Sequence, residues 1–310
     1  MRIAVFGAGA VDGYFGGRLA QAGQDVVIIA RGEHLNAIRE SGLSIESLAG
    51  DFNTFPKLAT DDPSEVGPVD AVLLGVKAWQ VPDAAAALRP LLGPETPVVP
   101  LQNGVDASFQ IAEALGPEHA VGGLCKLICS VTGPGRIQHA GVDPYIAFGE
   151  LDGGRSERMR RLHDAFTNTE GLTAEVPDNI QAEIWKKFIF IASFSGIGSI
   201  TRAPLGVFRK IPETRQMLID TLREVWCVAV AHQIDLPEST VDATLAFMDT
   251  LPEAGTASMQ RDIMEGRPSE LHEQNGAVVR RGSAVGVATP INSFIYTSLL
   301  PQEMQARGEV

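Results

Sequence analysis

Apolar and polar positions fall into two regimes along this chain. In the first 120 residues, apolar runs of strand length alternate with helical periodicity. Runs at 3–6 and 25–30 flank a glycine turn and a helix, and runs at 69–76 and 97–101 flank an Ala-rich helix at 82–92. This alternation predicts a parallel sheet with helices on both faces. Strands with glycine turns at 122–131, 136–139 and 145–149 are expected to extend that sheet. A helix at 156–168, an extended piece at 173–176 and the breaker Pro177-Asp178-Asn179 close the domain. From residue 180 nearly everything has helical period, over 181–194, 212–233, 238–251, 269–285 and 290–300, with Pro237 and Pro290 as helix starts. The expected fold class is α/β: a Rossmann-type, doubly wound, mostly parallel sheet over residues 1–178, then an all-helical domain over 179–310. There is no internal repeat or low-complexity tract.

Composition fits two ordinary domains. The chain has 310 residues, 45% of them apolar, and no uninterrupted apolar stretch long enough to cross a bilayer. The first strand starts at once and has no small-residue cleavage pattern after it, so a cytoplasmic protein is expected. A net charge of −13 opposes binding to nucleic acid or an anionic membrane. Cys125, Cys129 and Cys227 give no disulfide framework. The spacing of Cys125 and Cys129 lacks the second ligand pair a metal would need, so these two read as buried thiols and no metal is expected.

The opening turn carries the most chemistry. In Gly7-Ala8-Gly9-Ala10-Val11-Asp12-Gly13, Gly7 suits dihedrals closed to other residues, and Gly9 lets the backbone approach a pyrophosphate at the positive end of the next helix. The strand, helix and second strand that follow supply the context such a dinucleotide site requires. Asp12 stands where a third glycine is expected. There it either splays helix and strand or leaves Gly13 to compensate, and its charge opposes phosphate. The second strand runs into Arg31, which suits the 2′-phosphate of NADP rather than the 2′-hydroxyl of NAD; the alternative is a solvated surface Arg. FAD sites share this turn, so nicotinamide needs support from elsewhere in the chain.

Lys77 and Asn103 end sheet strands, where open α/β sheets bind ligands, and each suits a cofactor or an anionic substrate. Asn103-Gly104 also reads simply as a turn. In Trp185-Lys186-Lys187-Phe188, whichever lysine faces inward loses hydration, which lowers its pKa and makes it a better proton donor; the other reading is a packed stem with its head in water. His139 and His272 have no nucleophile arranged beside them and read as polar surface residues.

These blocks, with Ser258-Met259, Asp262-Ile263, Gly266-Arg267-Pro268, Glu270, Gly276 to Gly282 and Gly286 to Asn292, resemble the ketopantoate reductase family, the 2-dehydropantoate 2-reductases, over essentially the whole chain. The resemblance implies hydride transfer from NADPH to the ketone of 2-dehydropantoate, giving pantoate for pantothenate and CoA biosynthesis. It implies Lys187 as general acid and Glu270 as its orienting carboxylate and a ligand for substrate hydroxyl. Asn103 and Ser258 would bind substrate. Gly7, Ala8, Gly9, Ala10, Val11, Arg31, Lys77 and Asn103 would bind the cofactor. Four and eight residues after the lysine the family usually carries Asn facing the substrate, and this chain has Ile191 and Ser195. That departure suggests a less polar 2-oxo acid. Other readings are an imine or 3-hydroxy acid oxidoreductase and a non-catalytic NADPH sensor. The resemblance is compatible with a monomer or homodimer, with the dimer favoured.

Overall fold

The computed structural model describes residues 1–310 and divides into two compact units, Met1–Gln102 with Ala107–Ile180, and Asn103–Asp106 with Gln181–Val310. The first unit contains β1 (Arg2–Phe6), α1 (Ala10–Gln21), β2 (Asp25–Ile29), α2 (Gly32–Ser41), β3 (Leu43–Ser47), β4 (Phe52–Thr54), β5 (Leu58–Thr60), β6 (Ala71–Leu74), α3 (Val81–Ala87), β7 (Val98–Pro100), α4 (Ala107–Leu115), β8 (Gly122–Gly133), β9 (Arg136–Gly149), α5 (Glu157–Thr167) and β10 (Thr173–Glu175). A parallel sheet runs in the order β5-β2-β1-β6-β7, with Val5 opposite Ile28 and Leu73. Successive side chains of a strand point to opposite faces. Ile3 and Val5 therefore pack with Tyr14, Phe15, Phe148 and Phe166, while Ala4 and Phe6 pack with Val81, Leu88 and Ile111. Burial on both faces explains why these strands read as unbroken apolar runs.

Three expectations are corrected in this unit. The strands after residue 120 do not extend the parallel sheet. β8 pairs with β9 in a second sheet ordered β10-β9-β3-β4, and the two pieces expected at 136–139 and 145–149 are one 14-residue strand. β7 ends in Pro100, which has no N–H for a further ladder, and Gly123 comes so close that a Cβ there would overlap the Pro100 carbonyl. The Ala-rich helix stops at Ala87, and a 3-10 turn carries the chain through Pro90.

The second unit contains α6 (Ile180–Thr201, its first residue contributed from the other unit), α7 (Leu205–Phe208), α8 (Pro212–Ala231), α9 (Ser239–Thr250), α10 (Ser258–Met264), α11 (Asn275–Ala284) and α12 (Pro290–Arg307). Phe188, Ile189, Ala192 and Ile197 of α6 are buried with Leu218, Leu222, Val225, Val228 and Ala229 of α8 in one core, so this apolar face of α8 is covered within the unit. α6 runs past residue 194 to Thr201, and Gly196 and Gly198 within it are points of close approach. A Cβ would lie 2.7 Å from Asn275 Nδ2 at Gly196 and 2.5 Å from Gln260 Oε1 at Gly198. The helix expected over 269–285 begins only at Asn275. Ser269 Oγ accepts from Leu271 N (3.2 Å) and Ser269 N donates to Glu303 (3.0 Å), so side chains take the hydrogen bonds a first turn would use. Glu224 holds the start of α12 by accepting from Ile291 N (2.8 Å) and Asn292 N (2.9 Å), a favourable place for an anion. No helix is long and apolar enough to cross a membrane.

Candidate active site

In the first unit, the turn between β1 and α1 has the expected backbone. Gly7 takes φ +133°, and a Cβ there would lie 3.1 Å from the Gly75 carbonyl carbon, so only glycine fits. Gly9 is the N-cap of α1, and no side chain caps the helix, which leaves its first-turn amides for a ligand. Ala8 is buried with φ +45°. These features fit a dinucleotide pyrophosphate.

Asp12 is fully buried, and Gly13 is not what makes room for it. Gly75, at the end of β6, makes room for it, because a Cβ there would overlap Asp12 Cγ; the space left by Gly13 is filled by Ile137. Neither carboxyl oxygen has a hydrogen-bond partner. Burial pushes the Asp12 carboxyl up to about 6, against the lowering effect of the amides of Asp12, Gly9, Gly13 and Ala8. A folded-state pKa above the unfolded one means that stability present at low pH is lost as pH rises from about 4 through 6. Asp12→Asn is therefore expected to be more stable than wild type by about 3 kcal/mol above pH 7, with the gap closing as pH falls toward 4. Thermal unfolding of both proteins across this range checks it, and a gap independent of pH would contradict it.

Arg31 follows β2 as the N-cap of α2, is exposed, and has no carboxylate within ion-pair distance. Lys77 follows β6, exposed, with Nζ 5.7 Å from the centre of the Trp79 ring. Gln102 lies outside the expected site residues. Its Nε2 donates to Leu74 O (2.8 Å) and Val76 O (2.9 Å), tying the ends of β6 and β7 together, while its Oε1 is buried without a donor. Its place beside Asn103 at a strand end was the available signal.

In the second unit, α6 separates the two lysines. Lys186 is exposed and pairs with Glu183 (2.6 Å), whereas Lys187 is half-buried and unpaired, beside buried Trp185 and Phe188. The helix is unbroken through residues 187, 191 and 195, so they lie along one face. Ile191 is half-buried, whereas Ser195 is enclosed and its Oγ has no partner. Ser258 is the first residue of α10 and half-buried.

Asn103 sits in a turn and holds a carboxylate. Gly104 takes φ +120°, and Asn103 Nδ2 donates to Glu270 Oε2 (3.2 Å). Asp106 anchors the segment by accepting from Arg281 Nε (2.6 Å). Glu270 is nearly buried and also accepts from Gln274 Nε2 (3.3 Å). The expected pairing of Glu270 with Lys187 is absent, since no ion pair joins them. Neutral amides alone hold this carboxylate, which leaves it to receive donors from a ligand. Glu273 and Gln274 lie outside the expected site residues, and their spacing from Glu270 is the sequence signal for them. Burial, reinforced by Glu270, pushes Glu273 up to about 7, with Arg307 and Arg280 opposing, and its Oε2 has no partner.

The histidines expected at the surface are not there. His139 is buried, bonded to Ser47 Oγ (2.9 Å) and Val142 O (2.9 Å), and His272 is half-buried against the Tyr296 hydroxyl (2.9 Å). Strand alternation places His139 on the inner face of β9.

Residues 3–153 match the family model described as Ketopantoate reductase PanE/ApbA, and residues 179–303 match its C-terminal counterpart. A 2-dehydropantoate 2-reductase of Mesorhizobium japonicum is 32% identical, with 94% of each chain covered. The crystal structure of a PanE/ApbA family ketopantoate reductase from Ralstonia eutropha superposes with a TM-score of 0.89 at 30% identity, covering 99% of this chain and 100% of that one. A D-mandelate dehydrogenase solved with NADH and anilino(oxo)acetate gives a TM-score of 0.87 at 26% identity, covering 99% of both chains.

Proposed function

The chain belongs to the ketopantoate reductase family of oxidoreductases, and on that premise we propose that it reduces the ketone of a 2-oxo acid to a 2-hydroxy acid with NADPH. The observation that carries this reading is Lys187, a half-buried, unpaired ammonium on an apolar stretch of α6. The bound nicotinamide supplies the hydride. Lys187 gives its proton to the oxygen that becomes the alkoxide, and its positive charge favours that oxygen before the proton moves. Glu270, held by Asn103 and Gln274, accepts from a substrate hydroxyl, and Ser258 supplies a further hydroxyl to the substrate. Gly7, Gly9 and the first amides of α1, through Ala10 and Val11, hold the pyrophosphate, with Lys77 adding charge.

The preferred substrate is 2-dehydropantoate, with pantoate as product. A second reading, a less polar 2-oxo acid, is favoured by Ile191 and by the anilino(oxo)acetate bound to the D-mandelate dehydrogenase relative. Reduced nicotinamide carrying deuterium at C4 tests both readings, since the label is expected at C2 of the 2-hydroxy acid formed. Failure to transfer label to any 2-oxo acid would leave a dinucleotide-binding protein without this reaction.

Arg31 favours NADPH over the NADH seen with that relative. Charge-assisted hydrogen bonds contribute about 1.5–3 kcal/mol, so Arg31→Ala is expected to weaken NADPH binding about 10- to 150-fold and leave NADH binding unchanged. Titration with both dinucleotides checks this, and equal losses for the two would remove Arg31 from 2′-phosphate recognition.

A further inference from the structure

A carboxyl group is buried in the middle of the anion-binding turn, and no cation accompanies it. Asp12 Oδ2 lies 2.7 Å from where a Cβ on Gly7 would sit, and Oδ1 lies 3.1 Å from the corresponding point on Gly9. The side chain therefore stands against both glycines of the turn, and Gly75 closes the space behind it. Only the amides of Ala8, Gly9, Asp12 and Gly13 offset its ionisation, and those at a helix start are what a pyrophosphate uses.

We propose that Asp12 couples dinucleotide binding to the uptake of one proton: its carboxyl must be neutral for a pyrophosphate to settle on the turn. This rests on the reading of the turn as a dinucleotide site. An ionised Asp12 draws on the same amides and places a like charge, itself shielded from water, against the turn, and both effects act against the phosphates. The free protein holds this proton only up to about pH 6, so at neutral pH binding must restore it.

The surrounding groups do not supply the missing charge. On β8, burial pushes the Cys129 thiol up to about 12, so it stays neutral, and Cys125 beside it is a buried thiol. On α2, burial lowers the His34 imidazole, which accepts from Gly135 N (3.0 Å). β9 presents Ile137, and beyond β6 Lys77 is exposed over Trp79. On α1 itself, Arg18 is engaged by Tyr14, Gln21 and Ser47.

Isothermal titration of the full chain with NADH and NADPH, in two buffers of different ionisation enthalpy, reads affinity and proton uptake together. NADH is the decisive ligand because it lacks the 2′-phosphate, which itself titrates near pH 6. Wild type is expected to lose affinity for NADH by about tenfold per pH unit above 6, taking up close to one proton per dinucleotide near pH 7. Asp12→Asn is expected to bind with a flat profile, no proton uptake, and at least about tenfold more tightly than wild type at pH 8. Asp12→Gly should give the same flat profile and serves if the Asn variant does not fold. Identical, pH-independent NADH binding by wild type and variant would overturn the proposal while leaving the dinucleotide site standing. No binding of either dinucleotide by any of these proteins at any pH would overturn the site itself, and the proposal with it.

Discussion

Replacing Lys187 by Ala is expected to lower 2-oxo acid turnover about 10²- to 10⁴-fold, the usual contribution of a positioned proton donor, while dinucleotide affinity is unchanged. Two lysines stand side by side in α6, and the packing of the helix distinguishes them. Lys186 faces water and already spends its charge on Glu183, whereas Lys187 is half-buried and unpaired. Lys186→Ala is therefore the internal control, with turnover expected to stay at the wild-type level. Steady-state kinetics on both variants, with dinucleotide binding measured separately, checks the assignment. A silent Lys187→Ala beside a crippled Lys186→Ala would contradict it.

The second large effect is expected at Ile191. It lies one turn beyond Lys187 on the same face and is half-buried, while Ser195, a further turn along, is enclosed. A substrate hydroxyl placed against Ile191 loses a hydrogen bond and costs about 1–3 kcal/mol. Ile191→Asn is expected to raise kcat/KM for 2-dehydropantoate about 5- to 150-fold and to lower it for an acid with an apolar side chain. Comparing the two substrates on the two proteins separates pocket polarity from general damage. A fall of equal size for both would mean that residue 191 supports the helix rather than reading the substrate.

Much of this architecture was legible because burial leaves periodic traces. β1, β2 and β6 are covered on both faces and appear as apolar runs, and the glycine turn announces itself by position. β4 and β5, at three residues each, are too short to carry a period, and β3 mixes Ser and Glu with its apolar positions. The second sheet was hidden for another reason, since the partners of β9 are β3, nearly a hundred residues earlier, and β10 after it. Local patterning names a strand but not its neighbour.

The site divides in the same way. Lys187, Ile191 and Arg31 could be placed from their elements, but the seat of Asp12 could not, because Gly75 makes room for it from another strand. The glycines at 196 and 198 look like an end to α6 in the sequence; Asn275 and Gln260, pressed against them, explain them instead. The lysine–carboxylate pair is absent, and Glu270 accepts instead from the amides of Asn103 and Gln274, a contact with residue 103 that sequence spacing does not reveal.

The most direct test is oxidation of NADPH, followed by absorbance, with purified protein and a panel of 2-oxo acids that includes 2-dehydropantoate, for wild type and Lys187→Ala. The predicted result is turnover of at least one 2-oxo acid by wild type and its loss in the variant. No turnover of any 2-oxo acid with either NADPH or NADH would contradict the proposed reaction, and equal turnover by both proteins would contradict Lys187 as its proton donor.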